Sequence, residues 1–154
     1  MHIKTFTAAF AALLLAACNP MAQLDDAESR VEAFHETYNG GDARALYGKT
    51  GDEFREITSP EQMDELVAVV TDRMGKVVST EREGMNINSN NGVTTTTVTM
   101  KTMFEKGEAT ETFIFTGSGE DMSLAGWNID SPNFVDTATV EPVEIDLPER
   151  QIAD

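Results

Sequence analysis

The stretch Ser59–Thr80, SPEQMDELVAVVTDRMGKVVST, contains the change of period on which the fold turns. Its first half opens as helices open. Ser59 offers a capping hydroxyl, Pro60 suits the first helical position, and Gln62 can return the capping bond. Met63, Leu66, Val67, Val70 and Met74 then recur at helical spacing as one apolar stripe, and Gly75 is placed to end it. From Lys76 onward the period drops from 3.6 to 2. Val77 to Asn88 alternates loosely and runs into the turn cluster Asn88-Ser89-Asn90-Asn91-Gly92.

Downstream the strand signal continues. Val93–Phe104 carries the threonine run Thr94–Thr97 and then Val98, all strongly biased to strand. Glu105-Lys106-Gly107 turns the chain into Glu108–Thr116, which holds Phe113, Ile114 and Phe115. Gly117–Asp121 is a further turn, and Met122–Ile129 is a last strand with Leu124, Trp127 and Ile129. Strands of about ten residues exceed the usual five or six, so the sheet is expected to coil strongly.

Upstream lie helices. Ala27, Val31, Phe34 and Tyr38 fall on one helical stripe, Asp25 and Asp26 suit its N-terminus, and Asn39-Gly40-Gly41 stops it. Asp42 can cap a short second helix through Tyr47. Lys49–Ile57 fits neither period, and Phe54 and Ile57 are expected to pin it to the core. Three helices followed by an antiparallel meander of about four strands predict an α+β layer pair, helices covering one face of a curved sheet.

The chain starts differently. Met1–Lys4 carries one positive charge, and Thr5–Ala17 is apolar apart from two threonines. Thirteen helical residues rise only about 20 Å, short of a hydrocarbon core of roughly 30 Å, so this segment has the build of an export signal rather than a span. It ends in Leu15-Ala16-Ala17-Cys18, which resembles the lipobox of bacterial lipoproteins. That resemblance implies removal of residues 1–17 and acylation of Cys18, leaving residues 18–23 as anchor and linker. It further implies that Asn19, where an aspartate would signal inner-membrane retention, favours the periplasmic face of an outer membrane. The competing readings are an ordinary signal with an incidental cysteine, and a buried core helix. Several acyl chains on one residue, at about 0.8 kcal/mol per buried methylene, anchor firmly.

Without Lys4 the 11 Lys+Arg become 10, against 27 Asp+Glu, a formal charge of −17. So acidic a surface repels phosphate backbones and anionic headgroups, which argues against nucleic-acid partners and electrostatic membrane docking. With Cys18 the only cysteine, no internal disulfide and no thiolate metal site can form. Two histidines, one of them in the signal, offer no metal-ligand spacing, and no cofactor motif is present. About 137 residues, 154 less 17, make one domain, 24–134, followed by an acidic tail, 135–154, that reads as disordered.

Helices ahead of a meander that closes in Leu124-Ala125-Gly126-Trp127-Asn128-Ile129, with Phe34 and Tyr38 on helix one and the Gly41-Asp42 step, resemble the NTF2-like superfamily over roughly Leu24–Phe134. The resemblance implies a cone-shaped sheet around a helix-roofed pocket, serving isomerases, dehydratases and non-catalytic binding domains alike. Phe34, Tyr38, Phe113 and Trp127 are expected to line such a pocket, for a small apolar molecule or a peptide segment. An enzyme of this type needs an inward acid or base. Candidates are His35, at the border of the helix-one stripe, and Glu111, which shares a strand face with Phe113 and Phe115. Asp42 reads as a cap, Asp52 as a solvated turn residue, and Asp130 completes the set. Glu111 itself is more commonly found solvated at a sheet's outer end, and no carboxylate–histidine constellation can be assembled from the sequence. The expectation is therefore a tethered envelope binding or accessory domain without catalysis. The alternatives are a small isomerase- or dehydratase-type enzyme using Glu111 or His35, and an envelope interaction module. The threonine-rich strand could serve a homodimer through the sheet.

Overall fold

The structure, a computed structural model, describes residues 20–135. The expected signal segment, the expected lipidation at Cys18, and the acidic stretch beyond Val135 lie outside the described residues. Four helices precede four strands: α1 (Pro20–Asn39), α2 (Ala43–Gly48), α3 (Asp52–Ile57), α4 (Pro60–Met74), β1 (Val77–Asn90), β2 (Val93–Phe104), β3 (Gly107–Thr116) and β4 (Ser123–Asp130). The strands form one open antiparallel sheet in the order β1-β2-β3-β4, and the chain is α+β as expected.

The helix count is four, not three. Within the segment of no clear period, Asp52–Ile57 forms a six-residue helix with two acids in its first turn and Arg55 in its last, which suits the macrodipole. Its start is fixed from outside, by the Gly51 amide donating to the Leu124 carbonyl at 2.7 Å and a parallel bridge between Thr50 and Leu124. Phe54 is buried as expected, but Ile57 is 75% exposed and pins nothing. Met21–Gln23 is not linker either. α1 begins at Pro20, and buried Gln23 donates from Nε2 to Thr96 Oγ1 and the Gly117 carbonyl, fastening the helix start to the sheet.

Asp25 and Asp26 therefore lie inside α1, past its first turn, and not at its N-terminus; the remaining helix signals hold. Asp42 Oδ1 accepts from the Ala45 amide at 2.9 Å, capping α2. Ser59 and Gln62 form a reciprocal capping box on α4, and Gly75 ends that helix with φ +77, a left-handed value glycine adopts without steric cost. Met63, Val67, Val70 and Met74 are buried, each contributing about 1.5–3 kcal/mol of apolar transfer, while Leu66 is half-buried. β1 runs to Asn90, beyond the expected Asn88, because Asn91 and Gly92, both with positive φ, suffice for a two-residue hairpin turn.

In β2 and β3 burial alternates, so one face packs on the helices. Register aligns Met85, Val98, Phe113 and Trp127 across all four strands, and one step along it aligns Met100, Glu111 and Ile129. Bulges at Val77/Ser79, Arg82/Gly84 and Ile114/Phe115 bend the ladder. The core lies between this face and α1, α2 and α4.

Candidate functional site

Period 2 along β3 puts Ala109, Glu111, Phe113 and Phe115 on one face, and all four are buried. Glu111 is therefore not solvated at the sheet's end. It has no exposed surface, and its cross-strand neighbours Met100 and Ile129 are apolar. A carboxylate in such surroundings must be met by donors. Trp127 Nε1–H donates to Oε1 at 2.9 Å, and the Thr102 hydroxyl donates to Oε2 at 2.6 Å. The third donor is the other sequence candidate: His35 Nε2 lies 2.8 Å from Oε2. Because Thr102 gives its proton to Glu111, the Thr80 hydroxyl at 2.9 Å donates to Thr102 and extends the chain to β1.

His35 arrives there from α1, four residues after Val31 and beside Phe34. Its ring meets Phe113 edge-on at 5.6 Å, and its side chain is 8% exposed. With Nε2–H engaged by Glu111, Nδ1 is buried with no hydrogen-bond partner. A carboxylate holding one imidazole nitrogen while the other is unengaged is the arrangement general acid–base catalysis employs. The constellation that could not be assembled from the sequence exists in three dimensions. On its outer side His35 borders a groove of about 420 Å³ between α1 and β1.

The four aromatic residues expected around a pocket divide. Phe34 packs edge-on against Phe113 at 5.3 Å and against Trp127 at 4.8 Å, filling much of the interior with rings. Tyr38 is buried, its hydroxyl donating to the Gly75 carbonyl at 2.8 Å and accepting from Thr71. Burial pushes the Tyr38 phenol above its ordinary value, the Thr71 bond opposes this, and the charges of Glu111 and Glu105 add to it. The polar ends of Tyr38 and Trp127 are spent on Gly75 and Thr71 and on Glu111.

Phe34 and Phe113 do line one. With Ala33, Phe115 and Leu124 they wall a cavity of about 80 Å³ under α1. Two side chains complete its lining, Arg30 and Lys49, both basic. Neither forms an ion pair with a carboxylate among the described residues; Arg30 donates instead to the carbonyls of Gly119 and Glu120. Neither His35 nor Glu111 borders this cavity.

The remaining candidates are peripheral. Asp42 is exposed and occupied as a cap, Asp52 is exposed in the first turn of α3 rather than in a turn, and Asp130 is exposed at the end of β4. Among the described residues no group of three or more His, Cys, Asp or Glu could hold a metal ion, and no helix is long and apolar enough to cross a membrane. Sequence reasoning missed Thr102, Trp127 as a donor, and the Arg30–Lys49 pair. Arg30 had a local signal, since it precedes Phe34 by four and shares its helix face. Thr102 had none, because its role depends on the β2–β3 register. No family model matches the chain, and no curated protein sequence matches it either.

Proposed function

We propose that this chain is an exported envelope domain, lipid-anchored through Cys18 at the periplasmic face of an outer membrane, with an NTF2-like cone that binds a small apolar molecule without catalysis. The observation that carries the reading is the cavity under α1, walled by Phe34 and Phe113 and left unfilled in an otherwise ring-packed core. The helix-then-meander order and the Thr50–Leu124 bridge, which ties the helical layer to the last strand, support the cone. The test is thermal unfolding of the full mature chain with 1-butanol. A saturable rise in Tm is expected, abolished by Ala33→Leu, which fills the space. No rise, together with an unaltered or lower Tm for Ala33→Leu, overturns the reading.

A second reading rests on the His35–Glu111 pair: an acid–base enzyme whose substrate enters the α1–β1 groove that His35 borders. Here Glu111 orients the imidazole and Thr102 and Trp127 hold Glu111. The two readings separate cleanly, since Ala33→Leu leaves the pair untouched and His35→Gln leaves the cavity walls intact.

A further inference from the structure

We infer that the molecule taken by the cavity under α1 is a short-chain carboxylate, its tail among the rings and its carboxylate held at the mouth by Arg30 and Lys49. The inference rests on the binding reading above and names the chemical class of the ligand.

Charge makes the case. The chain has 27 acidic and 11 basic residues, so a random patch of lining is acidic. The cavity's lining holds two bases and no acid. Neither base is neutralised by a carboxylate among the described residues, although carboxylates are the chain's most abundant charged groups. Arg30 is half-buried and its donors to Gly119 and Glu120 use one end of the guanidinium, fixing the head between α1 and the β3–β4 turn. A guanidinium has five N–H donors, and both of these bonds leave from Nη2, so Nε–H and the Nη1 hydrogens remain to donate to a carboxylate. Lys49, exposed after α2, supplies a mobile point charge to the same mouth.

Size narrows the class. A dry apolar cavity of 150 Å³ accepts benzene, so one of about 80 Å³ takes a tail of about three carbons. Phe34, Phe113, Phe115 and Leu124 offer that tail no hydrogen bond, so the polar end must be terminal and must sit at the basic mouth. A three- to four-carbon monocarboxylate satisfies both demands. An amine of equal size would place its charge against two cations.

Calorimetry and thermal unfolding of the full mature chain with butyrate, 1-butanol and butylammonium test this. Butyrate is expected to bind at least tenfold more tightly than butanol and to raise Tm by several degrees at saturation, with butylammonium inert. Arg30→Gln is expected to reduce butyrate affinity to the level of butanol while leaving butanol unchanged, and Lys49→Gln to weaken butyrate several-fold. Equal binding of butyrate and butanol overturns the carboxylate inference and leaves the apolar pocket standing. No binding of any of the three, with Ala33→Leu unaltered or less stable, removes the pocket itself. Preferential binding of butylammonium reverses the assigned charge and likewise refutes the inference.

Discussion

At the scale of single residues, Glu111 concentrates the structure's electrostatic demands. Its carboxylate is fully buried and meets one donor from α1, one from β2 and one from β4, so it joins the helical layer to three positions of the sheet. Glu111→Ala leaves all three donors without an acceptor in a dry interior, an expected loss of about 3–5 kcal/mol. Glu111→Gln keeps an acceptor for Trp127 and is expected to cost about 1–2 kcal/mol. Urea unfolding checks both. An alanine variant within 1 kcal/mol of the parent would show that the layer is held by apolar packing alone. The alternation 109, 111, 113, 115 grouped Glu111 with the phenylalanines but left open whether that face turns inward. Its tolerance in the core was not legible, since that depends on His35, 76 positions away.

Among the elements, α4 was legible in full because its signals are local: a cap, a proline and an apolar stripe within sixteen residues of one another. Ser59→Ala removes the hydroxyl that accepts from the Gln62 amide and is expected to cost about 1 kcal/mol, with the urea m-value unchanged. A change in m instead would place the effect in the unfolded chain. α3 was illegible for the opposite reason. Six residues span too few turns to show a period, its single buried anchor is Phe54, and its start is set by Leu124 of β4. The N-terminal turn of α1 was likewise hidden, since Gln23 is polar and earns its burial only by bonding to Thr96 and Gly117.

For the whole molecule, net charge is the dominant long-range term. Ion pairs such as Glu28–Arg82 at 2.8 Å and Lys101–Glu108 at 3.1 Å lie at the surface, where each is worth little. Self-repulsion among 27 acids is not offset by them. Raising NaCl from about 10 mM to 0.3 M shortens the screening length several-fold, so Tm is expected to rise by a few degrees. Scanning calorimetry across that range decides it. A Tm that falls with salt would mean that surface pairs outweigh the net charge.

What the sequence determined by itself were the features written in short-range pattern: the α+β class, α4 and its caps, the Asp42 cap and the hairpin turns. Each follows from neighbours within a few residues, whose periodicity and backbone preferences act before any distant contact forms. Tertiary structure alone decided the fourth helix, the meeting of His35 with Glu111, the diversion of Tyr38 and Trp127 into the core, and the cavity under Arg30 and Lys49. These depend on strand register and on how closely α1 approaches the sheet. Both are set by the summed packing of residues far apart in the chain, and no local pattern encodes that sum.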